Sequence, residues 1–239
     1  MPIFKALSPD DPLLLGSPLI RGVLKTAQYI EENGGIGLTK SGAFNRKFVH
    51  WAAATFDWPG YSEEDLFIVN KVLNEWDFPP LSDIHELLKG LKLGRHFKGK
   101  FFLTKAGKEL VANPALLFQQ LTPNFLFRLD HGAHLRREDH ILGNWDIFLN
   151  VINVEADHGA SRSTLRKALY GDPDPAETIY DRIGSTLYVT VLRPLCWAGL
   201  LSEDEREGPR SDEMFRKTVL WRRSLRLDTD NHLRPQVVH

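Results

Sequence analysis

The sequence predicts a mainly helical α+β protein with small β-hairpins, built as two similar units. Three observations carry this reading. Apolar residues recur at helical spacing along much of the chain. The phrase Leu-Thr-Lys-x-Gly occurs twice, at residues 38–42 and 103–107. Lys98-Gly99-Lys100 sits between two short β-capable runs, as a hairpin tip does.

At 239 residues, the chain can hold one large domain or two small ones. Its 42% apolar and 26% charged residues are ordinary for a globular protein. A net charge of −1 gives no overall attraction to nucleic acid or anionic membrane, so such affinity must come from local charge segregation. The single cysteine, Cys196, excludes an intrachain disulfide and a thiolate metal cluster. Lying in "TVLRPLCWAGLL", it reads as a small buried hydrophobe. The N-terminal residues lack the pattern of a secretory signal, and no apolar run approaches spanning length. The expectation is a cytoplasmic chain with no membrane partner.

Residues 1–15 read as a tail, followed by a first unit at 16–124. Thr39 precedes Phe44, Phe48, Trp51, Ala52 and Thr55 at helical spacing and is a candidate N-cap. A helix "SEEDLFIVNKVLNEW", a Pro79-Pro80 break, the helix "SDIHELLKGLKL" and the hairpin come next. Thr104 is a second N-cap candidate, ahead of Leu110, Val111 and an Asn113-Pro114 stop. The second unit, 125–230, repeats this layout. It has a helix in "DHILGNWDIFLNVINVEA", another in "GASRSTLRKALYG" started by Ser161 or Ser163, and the apolar run "ETIYDRIGSTLYVTVLRPLCWAGLL". The charged loop "SEDEREGPRSDE" and the returning "MFRKTVLWRRSLRLD" complete it, ahead of a tail at 231–239. Helix, capped helix, further helix and hairpin is the order of a winged helix, so the expected architecture is two winged-helix-like units in tandem.

The run "LTKSGAFNRKFV" followed by "LLKGLKLGRHFKGKFFLTKAGKELVANPALLF" resembles the repeated winged-helix portion of a group of uncharacterised bacterial plasmid and mobile-element proteins. The resemblance is best over residues 18–121. Its motifs mark structure and carry no catalytic residues, so it implies a fold and no activity.

Enzyme motifs are absent. Gly35-x-Gly37 has no third glycine in register, there is no P-loop or G-x-S-x-G elbow, and His85-Glu86 is followed by Leu-Leu-Lys. The chain therefore reads as non-enzymatic and without a cofactor. Asp130, His131, His134, Asp139 and His140 offer metal-capable groups in "LDHGAHLRREDH". Arg136 and Arg137 interrupt them, and the segment reads as a metal-free linker.

Charge segregation is the stronger signal. Between residues 87 and 108 lie Lys89, Lys92, Arg95, Lys98, Lys100, Lys105 and Lys108, with no acid before Lys108. Residues 62–86 reverse this, with Glu63, Glu64, Asp65, Glu75, Asp77, Asp83 and Glu86 against Lys71. Lys40, Arg46 and Lys47 form a second basic group, and Arg162, Arg166 and Lys167 occupy the matching place in the second unit. Bases on a second helix and a wing are placed to meet phosphates. The expected interface thus comprises Lys40, Arg46, Lys47, Lys89, Lys92, Arg95, Lys98, Lys100, Arg162, Arg166 and Lys167. The expected partner is duplex DNA.

Base reading is disfavoured, because Asp83 and Glu86 open the candidate reading helix and Glu203, Asp204 and Glu205 open the second wing. Contact through the backbone is the expectation, in a regulatory or mobile-element setting. The alternative is a protein-binding adaptor on degenerate winged helices. The tryptophans read mostly as core.

Overall fold

The computed structural model describes residues 3–135, 141–173, 181–204 and 213–233. Two compact units account for the chain: one at residues 8–125, the other at 126–239 together with residues 1–7. Strand β1 (Ile3–Phe4) opens the described chain.

In the first unit, α1 (Pro18–Asn33) begins where Ser17 Oγ accepts the Ile20 N–H. It is followed by β2 (Ile36–Gly37), α2 (Arg46–Thr55), α3 (Glu63–Val69) and α4 (Pro79–Gly90). Strands β3 (Gly94–Phe97) and β4 (Lys100–Leu103) form the expected hairpin, with α5 (Lys105–Val111) behind it. β2 adds to the other edge of β4, giving an antiparallel sheet of order β2-β4-β3. The core joins Phe44, Phe48, Phe56, Phe78 and Phe101, all essentially inaccessible. Helix α6 (Pro114–Arg128) follows, started by Asn113 Oδ1 accepting from Leu116 N–H.

Two local expectations are corrected. Asn45, not Thr39, caps α2, accepting the Phe48 N–H at 3.0 Å. Thr39 lies in a turn in which the Gly42 N–H donates to its carbonyl. The helix expected across residues 62–76 stops at Val69, where the Asn70 side chain donates to Leu66 O and competes with continuation. A single 3-10 turn, Glu75–Asp77, resumes before α4. The two Leu-Thr-Lys-x-Gly phrases therefore do different work. The first is a turn; the second is the N-cap of α5, with Thr104 Oγ1 accepting the Gly107 N–H at 3.1 Å. Gly107 is required there, because a Cβ would lie 2.1 Å from Leu93 O.

The second unit runs through α7 (Trp145–Glu155), β5 (Ala160–Ser161), α8 (Arg162–Tyr170) and α9 (Arg182–Leu187). A π-helical turn, Tyr188–Leu192, leads into α10 (Arg193–Trp197). The widened turn lies just ahead of Pro194, whose ring and missing N–H do not fit a regular ladder. Then come β6 (Leu201–Asp204), β7 (Met214–Lys217), α11 (Val219–Ser224) and β8 (Leu225–Arg226). The sheet order β5-β7-β6 matches that of the first unit. Residues 1–15, read as a tail, hold β1, which pairs antiparallel with β8.

The junction between the hairpin and the helix just ahead of it is built alike in both units. Leu93 N–H donates to Leu88 O and Leu200 N–H to Leu195 O, closing α4 and α10 in the same way. The hydroxyls of Thr104 and Thr218 then bond back to the carbonyls of Leu93 and Leu200, while each caps the helix that follows. Among the described residues, no helix is long and apolar enough to cross a membrane.

Candidate nucleic-acid interface

Lys98 and Gly99 join β3 to β4, both with positive φ (47° and 74°), the backbone of a tight two-residue hairpin turn. Side chains alternate along the strands. Arg95 and Phe97 share the outer face with their partners Phe102 and Lys100, whereas His96 lies on the inner face opposite Phe101. The Phe97 ring is 49% exposed, with the Arg95 guanidinium 5.5 Å and the Lys98 ammonium 5.3 Å from its centre. Lys100 Nζ donates to Gly34 O at 3.0 Å, at the negative end of α1. The outer face, α1 and α5 enclose a cleft of about 910 Å³ whose lining includes Leu24, Glu31, Arg95, Phe97, Phe102 and Lys108.

Lys89 is exposed in the last turn of α4, and Lys92 just beyond it. Lys92 takes a left-handed conformation (φ 58°). Lys40 is exposed in the turn ahead of α2, and Arg46 and Lys47 in the first turn of that helix. Arg46 Nε donates to Asn74 Oδ1 at 3.1 Å. Among the described residues, Lys40, Lys47, Lys89, Lys92, Arg95 and Lys98 make no ion pair.

Among the described residues, the acidic run at 62–86 makes no ion pair with them. Asp65 and Ser62 cap α3 reciprocally, Asp77 accepts the Asn74 N–H, and Glu75 and Asp83 are buried. The burial of Asp83 corrects the expectation that it faces phosphate. It shares a helix face with Pro80, Ile84 and Leu87, so packing of that face takes it inward. Glu86 alone of the pair is exposed. One tryptophan, Trp76, departs from the core reading at 64% exposure.

The second unit uses its bases differently. Arg166 is 3% exposed, 3.4 Å from Asp181 and bonded to Gly171 O. Arg162 lies 3.7 Å from Glu213 and 5.7 Å over the Tyr188 ring. Both arginines are committed to internal contacts and leave the candidate set. Lys167 is exposed but 3.0 Å from Asp172. In the linker, Asp130 Oδ1 accepts the Gly132 N–H at 2.9 Å and His131 is buried. The His134 side chain, Arg136, Arg137, Asp139 and His140 lie outside the described residues, as does Glu205.

Comparison with known proteins gives this arrangement a relative. Residues 15–116 match the Y4jL N-terminal domain model and residues 135–219 the y4jL C-terminal domain model. The "Uncharacterized protein y4jL" of Sinorhizobium fredii (strain NBRC 101917 / NGR234) is 44% identical over 165 residues, covering 67% of this chain and 75% of the relative. The chain belongs to the y4jL family. No solved structure matches. The N-terminal y4jL domain spans every exposed base of the first unit named above.

Sequence reasoning missed the polar seams behind the two hairpins. In the N-terminal y4jL domain, Glu75 Oε1 lies 2.6 Å from His85 Nδ1, and His85 Nε2 lies 2.8 Å from His96 Nε2. In the C-terminal one, the Tyr188 hydroxyl donates to Glu203 at 3.2 Å. Packing around the Glu203 carboxyl and the nearby Glu213 push its pKa up. No spacing rule could have found either seam, because helix and strand meet across a reversal of the chain. The one visible hint was His96 amid the basic run.

Proposed function

We propose that both units are winged-helix-like and that the first binds duplex nucleic acid through its sugar–phosphate backbone. The observation that carries this reading is the set of exposed bases with no ion pair on the β3–β4 hairpin, the end of α4 and the start of α2. Supporting it, Arg46 and Lys47 stand at a helix N-terminus, where bases oppose the dipole by about 0.3–1 kcal/mol and a phosphate would be favoured. Base reading finds little support, since the outward face of α4 offers Ser82, Glu86 and Lys89. The protein is non-enzymatic on this reading, and Arg162 and Arg166 of the second unit take no part in it.

Replacing Arg95, Lys98 and Lys100 together with Glu tests the proposal. Affinity for unrelated duplexes should fall alike, and the plot of log K against log salt should lose roughly 0.9 per phosphate contact removed. Wild-type protein without salt-sensitive binding at low ionic strength would sink the idea. A second reading, a protein-binding adaptor, draws on the cleft beside Phe97. An unchanged affinity in the triple variant would shift the weight to it.

A further inference from the structure

Glu75, His85 and His96 form a line from the interior of the first unit to its surface. Glu75 and His85 are 6% and 7% exposed, whereas His96 is solvent-exposed. Glu75 accepts the Phe44 N–H at Oε2 and faces His85 Nδ1 with Oε1. The Phe44 ring stacks on His85 at 3.9 Å and 13°, fixing the imidazole in place. The His85 and His96 ring centres are 5.1 Å apart with their Nε2 atoms 2.8 Å apart, the geometry of two rings meeting nitrogen to nitrogen. A metal ion held by both would need lone pairs converging at an angle. The head-on contact suits a shared proton.

The proton count then decides what His96 shows to the outside. With Glu75 ionised, one proton lies between Glu75 and His85 and a second between the two Nε2 atoms. His96 is left with a bare lone pair at Nδ1, which repels an anionic oxygen. A third proton supplies an outward N–H and a positive charge. Wherever that charge settles along the chain of three groups, the outward Nδ1–H exists only in the three-proton form.

The turn at Gly42 lies beside this edge of the ring. A Cβ on Gly42 would lie 3.4 Å from His96 Cε1 and 3.7 Å from Nδ1, so the absence of a side chain at Gly42 leaves space against that edge. Desolvation, then His85 and then the Lys89 charge hold the His96 pKa below its ordinary value, against the pull of Glu75. From β4 the neighbour is the uncharged Phe101, and the turn that carries Gly42 also carries exposed Lys40.

We propose that His96 and Lys89, beside the gap at Gly42, form a proton-coupled site for a phosphate oxygen. Binding there takes up one proton into the Glu75–His85–His96 chain. The identity of the ligand as a backbone phosphodiester rests on the nucleic-acid reading above; inorganic phosphate offers the same chemistry without a duplex. By linkage, affinity for the anion rises as pH falls, approaching tenfold per pH unit at most between the free and bound titrations.

The test follows the imidazole resonances of the full chain by NMR from about pH 5 to 8, the range in which histidines titrate. Spectra are taken alone, with a short random duplex and with inorganic phosphate. The expected result is a rise in the His96 titration midpoint with either ligand. Duplex affinity should depend on pH in the parent and in His50→Gln, and lose that dependence in His96→Gln. Salt-sensitive duplex binding with an unmoved His96 titration overturns the site and leaves the nucleic-acid reading intact. A shift with phosphate but no duplex binding keeps the site and removes that reading. No shift with either ligand overturns the site.

Discussion

The two hairpins place different residues at one and the same position. His96 of β3 pairs with Phe101, and Glu203 of β6 pairs with Phe215. Each reaches a polar group on the preceding helical segment, His85 in one unit and Tyr188 in the other. Around this shared seam the charges are handled in opposite ways. Among the described residues, the first unit leaves Lys40, Lys47, Lys89, Lys92, Arg95 and Lys98 exposed and without an ion pair. The second turns Arg162 and Arg166 inward onto Glu213 and Asp181. One layout thus carries a local cluster of bases without ion pairs in one unit and internally paired arginines at the matching place in the other. The lesson is that the scaffold sets where a side chain goes, and the residue at that place decides whether the surface is left available to a ligand.

The sharpest way to break the comparison is at the end of the hairpin. Leu103 precedes the capping Thr104 in the first unit; Lys217 precedes Thr218 in the second. Lys217 is buried, bonded to Asn153 O at 2.6 Å and paired with Asp157 at 2.9 Å. Lys217→Met should destabilise the second unit by about 3–5 kcal/mol in urea unfolding, because it strands Asp157 and Asn153 without their partner. Leu103→Met should cost less than about 1.5 kcal/mol. Equal losses would show that the buried lysine is not the anchor of its network.

A smaller effect is expected one turn earlier. Lys92 and Gly199 follow the caps of α4 and α10 in the left-handed region, φ 58° and 77°. Glycine is at ease there and lysine is not. Lys92→Gly should raise stability by about 0.5–1 kcal/mol while removing one phosphate contact, seen as a salt slope shallower by roughly 0.9. Stabilisation without any change in slope would take Lys92 out of the interface.

The smallest effects concern pH, and they run in opposite directions. The pKa of His96 is lowered from 6.5, so its share of stability is present above 6.5 and lost as pH falls through the folded value. His96→Gln should therefore gain on the parent as the solution is acidified below 6.5. The pKa of Glu203 is raised from 4.5, so its share is present below 4.5 and lost as pH rises through the folded value. Glu203→Gln should gain on the parent as pH climbs above 4.5. Melting temperatures across this range, read as differences from wild type, check both signs.

The duplicated layout was legible because periodicity and cap chemistry are local. Thr104 and Ser161 cap the helices that follow them, as a hydroxyl ahead of an apolar run should. Thr39 misled for the same local reason, since Asn45 competes for the role and stands closer to the helix. The exposed bases of the first unit could be read because they lie on a hairpin and at helix ends, outside the packed core. Arg166 could not, because its partner Asp181 comes from another element. Asp83 was misjudged because its position along α4 was weighed without the face it shares with apolar neighbours.

The pairing of β1 with β8 has a consequence for biosynthesis. Lys5 Nζ donates to Arg222 O across 217 positions, and Ile3 lies opposite Arg226. Domains generally fold as they leave the ribosome, N-terminal part first. Here β1 emerges ahead of residues 8–125 but pairs with β8, which emerges after them, so β1 must wait, unpaired, while residues 8–125 take shape. The same fact bears on dissection. A fragment starting at residue 126 would lack β1 and leave both edges of β8 unpaired, inviting pairing between molecules. Fusing residues 1–7 to the C-terminal side of such a fragment would be the way to supply the missing strand.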